Sequence, residues 1–373
     1  MGGDAVKVPF LDLNAAYREI EHGAQARLRR LFRDSDYILG TDVRDFEQAL
    51  ARYVGAAFAV GVNSGTDALF LGLRAMDIGP GDEVIVPVYT YIASAYAVSY
   101  TGARPVFVDI DPETYNMDPG RVRAALTRRT RALMPVHLYG QCADMPAIRR
   151  LARRHGLRVI EDAAQAHGAA WKKRKAGAWG DGAAFSFYPT KNLGGLGDGG
   201  AVVTSDKKLH ARLLKLRDYG RTARYEHDAI GYNSRLDSIQ ALFLAQKLKR
   251  LDAWNRSRRR IAGLYRRLLR DVAGVALPLE APSAYHIYHI FAVRVKQRDR
   301  VLEGLRKAGI GAMVHYPVPL HLQKVYRDLG YRRGDFPVAE AVAQEVLCLP
   351  IYPHMTDRHI HSVASTLKRL VQE

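Results

Sequence analysis

Phe185-Ser186-Phe187-Tyr188-Pro189-Thr190-Lys191-Asn192-Leu193-Gly194, continued by Gly195-Leu196-Gly197-Asp198-Gly199-Gly200, decides how the chain is read. The alternating apolar run from Ala183 to Tyr188 predicts a buried strand. Pro189 stops it, and Lys191 falls on a tight connector before a glycine-rich bend and a second predicted strand, 201–204. A lysine held just past a buried strand is poorly solvated, which lowers its pKa and makes the amine available as a nucleophile. The same pattern also describes a surface lysine in a loop. Gly195, Gly197 and Gly200 fit G-x-G-x-x-G, but a dinucleotide fingerprint follows a strand and opens a helix. Here it runs into a β-branched strand, so the glycines are read as allowing left-handed turns and close backbone approach.

Upstream, strand and helix patterns alternate. Strands are predicted at 58–62, 83–87, 105–109, 132–136 and 158–162, and helices at 68–76, 92–100, 119–126 and 145–155. Such alternation predicts an α/β fold with a mainly parallel sheet covered by helices. Ligands of such sheets bind beyond the carboxyl ends of the strands. An entry segment, 10–54, carries helices at 17–32 and 43–53. Residues 231–269 read as mostly helix and 271–284 as a linker with Gly and two Pro. A smaller α+β unit follows, with strands at 286–295 and 310–315 and helices at 299–307, 338–346 and 356–371. The division expected is a large domain, 1–270, and a small C-terminal domain, 271–373.

The 373 residues carry 56 Lys and Arg against 38 Asp and Glu, a net charge of +18. That excess invites a nucleic-acid reading. The arginines are spread over many helical segments, however, and no helix-turn-helix, zinc-finger or RNA-binding signature accompanies them. A solvated basic surface that attracts an anionic substrate fits better. Cys142 and Cys348 stand far apart, and no HExxH or CxxC spacing occurs, which argues against a disulfide framework or a metal site. No stretch resembles a signal core or a membrane span, so a cytoplasmic location is expected.

Three features fall at strand ends. Ser64-Gly65-Thr66 joins a strand to a helix, where N–H groups and the helix dipole suit a phosphate; ordinary capping would use the same residues. Asp162 ends an apolar strand, either paired structurally or serving a ligand, with Gln165 and His167 just beyond. Lys191 follows downstream. Together they suggest pyridoxal phosphate, which needs a lysine to bond and an acidic partner for its ring nitrogen. Tyr91, after the strand end at Pro87, is either an aromatic face for the ring or a core aromatic.

The chain resembles the DegT/DnrJ/EryC1/StrS family of pyridoxal-phosphate sugar aminotransferases, which have the type I fold of aspartate aminotransferase. The motifs are Asn63-Ser64-Gly65-Thr66-Asp67-Ala68-Leu69, Glu161 through Gly168, Phe185 through Gly200, and Gly231-Tyr232-Asn233-Ser234-Arg235-Leu236. The resemblance implies that Lys191 bonds the cofactor and moves the proton, and that Asp162 serves the ring nitrogen. It assigns Gln165 to the ring hydroxyl, Tyr91 to stacking, and Gly65, Thr66 and Ser186 to the phosphate. It places Asn233 on the phosphate of a second subunit, in a homodimer, and offers Arg235, His315, Tyr316 and His321 as substrate contacts. Relatives that are dehydratases carry His in place of the lysine, and Lys191 sets this chain apart from them. The implied reaction moves an amino group, from glutamate, to a C3 keto group of a dTDP-linked 6-deoxyhexose. The alternatives are a C4 keto sugar, a cyclitol ketone, or, from another class, a basic nucleic-acid-binding regulator.

Overall fold

The structure is a computed structural model and describes residues 7–373. Helices α1 (Leu13–Arg18), α2 (Glu21–Asp34) and α3 (Thr41–Val54) precede β1 (Phe58–Val62) and α4 (Gly65–Ala75). Then come β2 (Glu83–Pro87), α5 (Ile92–Tyr100), β3 (Arg104–Val108), α6 (Pro119–Ala125), β4 (Thr130–Leu133), α7 (Met145–His155) and β5 (Arg158–Asp162). The short strands β6 (Ala170–Trp171) and β7 (Arg174–Lys175) lead to β8 (Gly182–Ser186), β9 (Gly200–Thr204) and α8 (Lys207–Leu216). Beyond the small hairpin of β10 (Arg221–Ala223) and β11 (Glu226–His227) lie α9 (Ser238–Leu248) and α10 (Leu251–Leu269). The C-terminal part holds β12 (Val275–Ala276), β13 (Ala284–Tyr285), β14 (Phe291–Val295), α11 (Arg298–Lys307), α12 (Pro337–Glu345), β15 (Val346–Leu349) and α13 (Asp357–Gln372).

The main sheet is seven-stranded, in the order β1-β9-β8-β5-β4-β2-β3. From β8 to β3 every pairing is parallel, while β9 runs antiparallel to both β8 and β1. All strands except β9 therefore end on one edge, which collects Val62, Pro87, Val108, Asp162 and Ser186. The sheet is covered on both faces, so its strands read as almost unbroken apolar runs. Helix α4 is apolar on nearly all sides, with Ala68 through Leu73 buried, because sheet and α5 enclose it. Helix α7 shows the usual end signals. The Asp144 side chain accepts the Ala147 N–H at 3.0 Å, and Gly156 stops the helix at φ +64°.

A separate cluster lies between the three-stranded antiparallel sheet β12-β14-β15 and helices α11 and α13, and includes Phe291, Val293, Leu347 and Leu367. Helix α10 reaches both regions: Leu251 packs with the large sheet, Ile261 to Leu269 with the C-terminal cluster.

Several expectations change. The helix expected at 17–32 is two helices, α1 and α2, separated at Glu19–Ile20. Residues 231–237 are not helical; α9 begins at Ser238. Only Phe291–Val295 of the expected strand 286–295 is strand, because the preceding N–H groups bond elsewhere: Ile287 donates to the Gly140 carbonyl at 3.0 Å. Residues 310–315 make only isolated bridges, Val8 to Ile310 and Met313 to Cys348. Val346, read as the last residue of a helix, instead begins β15 (Val346–Leu349). The glycines of 194–200 adopt no positive φ. Their role is close approach alone: a Cβ on Gly194 would lie 2.2 Å from the Pro189 carbonyl oxygen.

Glu161 is wholly buried next to Asp162 on β5. Its Oε1 accepts N–H bonds from Trp179 (2.8 Å) and Gly180 (2.7 Å); its Oε2 accepts from Gly177 (2.9 Å) and faces His137 Nε2 at 2.8 Å. Because His137 Nδ1 accepts the Ala143 N–H at 3.1 Å, the Nε2 carries the proton donated to Glu161. Burial pushes the carboxyl pKa up, but His137 and the N–H groups of Gly177 and Gly180 reverse this and hold it low. Its contribution to stability is thus present above the ordinary carboxyl range and lost as pH falls through the lowered value. Glu161→Ala strands all these donors. We expect a loss of about 3–5 kcal/mol, read from urea unfolding near pH 7; a loss under about 1 kcal/mol would contradict this account.

Candidate active site

At the carboxyl edge, Val62 of β1, Gly200 of β9 and Ser186 of β8 lie side by side in register. The start of α4 closes over them. The Ser64 hydroxyl caps the helix, accepting the Asp67 N–H at 3.0 Å. The N–H groups of Gly65 and Thr66 belong to the first turn, which has no carbonyl partner inside the helix. A Cβ on Gly65 would lie 2.5 Å from Ser186 Cβ, and one on Gly200 would lie 2.2 Å from the Ser64 carbonyl oxygen. Only glycine lets the helix start and two strand ends approach this closely, leaving a corner lined by N–H groups and small side chains.

Asp162 is 6 % exposed. Its Oδ2 accepts the Ser94 hydroxyl at 2.7 Å and its Oδ1 the Ala164 N–H at 3.1 Å. Lys191 follows a turn in which its N–H bonds the Tyr188 carbonyl at 2.9 Å. The glycine-rich bend beyond it is tied to α9: Lys247 Nζ donates to the Gly194 carbonyl at 2.7 Å, and the Leu196 N–H to Gln240 Oε1 at 2.8 Å. Burial lowers the Lys191 ammonium to about 8, with the Asp162 carboxylate pulling the other way.

Three imidazoles feel the charge of Lys191: His167, His289 and His315. Burial is the main cause that lowers each, His167 to about 3 and His315 to about 4, with Lys191 adding to it. All are neutral at pH 7, so Asp162 is the one charged group drawing on the amine in the opposite sense.

Gln165 is locked on both sides. Its Oε1 accepts the Tyr139 N–H at 2.7 Å and its Nε2 donates to Tyr316 Oη at 3.2 Å. Tyr139 sits at φ +57°, an uncommon conformation for a bulky residue. Its hydroxyl and that of Tyr89 donate to the His315 carbonyl. Tyr91 stands at the start of α5, 57 % exposed, its ring 5.7 Å from that of Tyr316. The structure therefore gathers Gly65, Thr66 and Ser186 in one corner, and links Tyr91 and Gln165 through Tyr316, beside Asp162, Lys191 and His315.

The remaining candidates lie apart. Asn233 is exposed, although its neighbour Ser234 accepts the Asn63 N–H at 3.3 Å in the same chain. Arg235 is engaged by Asp218 at 3.0 Å. His321 is buried against Phe336 with Nε2 on Glu340 at 3.0 Å, a setting that joins it to α12 and not to Lys191. Ser94, Asn192 and His289 were not anticipated. A serine set among apolar residues in the first turn of α5, three residues after Tyr91, was the available signal for Ser94.

A half-buried lysine and a buried carboxylate at the carboxyl edge, with a helix start suited to a phosphate, define a type I pyridoxal-phosphate enzyme. Residues 18–368 match the model of the DegT/DnrJ/EryC1/StrS aminotransferase family. A dTDP-3-amino-3,4,6-trideoxy-alpha-D-glucose transaminase of Streptomyces venezuelae is 50% identical over 349 residues, 94% of this chain and 92% of the relative. The crystal structure of S. venezuelae DesV in complex with a ketimine intermediate superposes with a TM-score of 0.96 at 48% identity, covering 98% of this chain and 99% of that one. NtdA of Bacillus subtilis with bound cofactor PMP is 30% identical, with a TM-score of 0.92, over 100% of this chain and 87% of its own. The chain belongs to the DegT/DnrJ/EryC1/StrS family: it is an aminotransferase, and pyridoxal phosphate is its cofactor.

The residues fit that group. The Gly65–Ser186–Gly200 corner has the N–H donors a phosphate takes, Asp162 offers an anchored carboxylate, and Lys191 an amine made nucleophilic by burial. When bound, pyridoxal phosphate supplies an electron sink for the carbon that loses a proton. Because burial lowers Lys191 to about 8, its neutral fraction grows as pH rises through that value. Bond formation between cofactor-stripped protein and pyridoxal phosphate, followed by absorbance, should quicken about tenfold per pH unit below it and level above. A rate flat from about pH 6 to 9 would contradict a lowered lysine. Borohydride should then fix the cofactor on the Lys191 peptide; labelling of Lys247 instead would sink the assignment.

Proposed function

We propose that this aminotransferase takes an amino group from glutamate and delivers it to the C3 keto group of a dTDP-linked 6-deoxyhexose. The observation that carries the reading is the 50% identity, over 94% of the chain, to a dTDP-3-amino-3,4,6-trideoxy-alpha-D-glucose transaminase. In this reading Lys191 leaves the cofactor when the donor enters, then holds and returns the proton at Nζ. The Asp162 carboxylate, its two oxygens fixed by Ser94 and the Ala164 N–H, would hold the ring nitrogen. Tyr91 would stack on the ring, and His315 and Tyr316 would line the sugar side. Screening keto-sugar nucleotides with glutamate, and locating the new amine by NMR, tests the assignment. Turnover of a dTDP-3-keto-6-deoxyhexose with amination at C3 is expected. Amination at C4, or turnover of a cyclitol ketone alone, would replace it.

We propose further that the enzyme is a homodimer in which Asn233 completes the partner's phosphate corner. The exposure of Asn233 supports this, as do large apolar side chains left in solvent on neighbouring segments: Tyr188, Leu196, Tyr219 and Ile239. Arg235, held by Asp218, is read as support for this segment. Lys191→Ala and Asn233→Ala homodimers should each be weak or inactive. Mixed dimers should regain one working site, which collects Lys191 and Asn233 from different chains. Heterodimers that form yet show no gain would reduce Asn233 to a surface residue.

A further inference from the structure

Asp162 stands at the end of a relay of two buried hydroxyls. Thr90 Oγ1 lies 3.1 Å from Ser94 Oγ, and Ser94 Oγ lies 2.7 Å from Asp162 Oδ2. Thr90, Ser94 and Asp162 are 4 %, 1 % and 6 % exposed. Among the described residues the Thr90 hydroxyl has no other hydrogen-bond partner. Tyr91, assigned to the ring face, follows Thr90 directly and starts the helix that carries Ser94.

The direction of both bonds follows from proton counting. An ionised carboxylate can only accept, so the single Ser94 hydroxyl proton goes to Asp162. Ser94 then has only lone pairs to offer Thr90, and the Thr90 hydroxyl must donate. A helical serine has a competing choice, because its hydroxyl can turn back on a main-chain carbonyl three or four residues earlier. Ser99, on the same helix, does so and donates to the Ala95 carbonyl at 3.2 Å. Ser94 has an acceptor in front of it, Asp162, and a donor behind it, Thr90. That donor occupies a lone pair of Ser94 and favours the rotamer that faces Asp162. It also polarises the Ser94 hydroxyl, which strengthens the bond Ser94 makes in turn. The effect at the carboxylate has a definite sign. A hydrogen bond donated to a carboxylate favours its charged form. The relay thus makes Asp162 a weaker base, less apt to take a proton from a group it faces.

We propose that Thr90 is a positioning residue for Ser94, and that the two hydroxyls together keep Asp162 ionised against the ring nitrogen of the cofactor. The proton between that nitrogen and Asp162 is thereby kept on the nitrogen. The inference rests on the reading of Asp162 as the ring-nitrogen partner, which a separate variant checks.

The test uses holoenzyme carrying pyridoxal phosphate labelled with 15N in the ring. The wild-type resonance should lie at the protonated end of the pyridine range. In Ser94→Ala it should move toward the unprotonated value, and in Thr90→Val in the same direction by less. Thr90→Ser, which keeps the hydroxyl, should restore the wild-type position. In a stopped-flow instrument the half-reaction with L-glutamate should slow about tenfold in Ser94→Ala and about threefold in Thr90→Val, with the apparent affinity for glutamate unmoved. Asp162→Asn separates the two claims. If even that variant leaves the resonance in place, the ring-nitrogen reading falls and takes the inference with it. If Asp162→Asn moves the resonance while Ser94→Ala and Thr90→Val match wild type, the inference alone is overturned. A Thr90→Val resonance at the wild-type position, with Ser94→Ala displaced, overturns the role of Thr90. A crystal structure of the wild-type holoenzyme needs no variant. Thr90, Ser94 and Asp162 in hydrogen-bonded sequence are expected there. Ser94 turned onto a preceding main-chain carbonyl instead overturns the proposal even if the variants fail to fold.

Discussion

A carboxylate with no access to water holds the centre of this molecule in register. Glu161 binds the imidazole of His137, which follows β4, and the N–H groups of Gly177, Trp179 and Gly180, which precede β8. It thus ties together the strands on either side of β5. Successive residues of a strand point to opposite faces. With Glu161 committed to one side, Asp162 is turned the other way, toward Ser94 and the carboxyl edge. The parallel pairing of Asp162 with Ala184 then sets the height of Ser186, and the antiparallel pairing of Ser186 with Gly200 sets the phosphate corner.

Around Lys191 the protein uses neutral groups almost exclusively. The chain carries a net charge of +18, yet the lysine's interior neighbours are uncharged imidazoles and one carboxylate. Desolvation lowers the amine toward neutrality, while Asp162 limits the drop. Lys247, buried on α9, is also lowered to about 8, by burial alone. It donates to the Gly194 carbonyl, whose partial charge suits a lysine that only supports a loop. Burial lowers both lysines, and the partner atom separates their duties.

The strand ends were the most legible part of the sequence. Asp162 and Lys191 stood out because an apolar run leaves few places for a charge, and the alternation of those runs with helices pointed to a mainly parallel sheet. Contacts made at long range were not legible. Nothing local marks Ser94 as the partner of Asp162, or His289 as the partner of Asn192. Residues 286–290 look like a strand because they are apolar or aromatic, but Gly140 and Tyr139 draw off the N–H groups of Ile287 and Ile290. Val346–Leu349 continues the apolar pattern of α12, so periodicity could not show where helix gives way to strand. The resemblance offered His321 as a substrate contact, yet Glu340 and Phe336 account for its burial.

The single reversed strand, β9, has a consequence for how the molecule comes into being. Phe58 of β1 pairs with Thr204, and Val62 with Gly200; the chain between them includes every other strand of the main sheet. Strand β1 therefore has no partner in that sheet until β9 exists. On a growing polypeptide the β2–β5 region can begin to pair first, while β1 and the start of α4 wait with one edge open. Pairings between residues so distant carry a large loop-closure cost and form slowly. The phosphate corner, which needs both β1 and β9, therefore cannot assemble before Thr204 has been made, and the cofactor cannot guide the earliest pairing of β2 to β5.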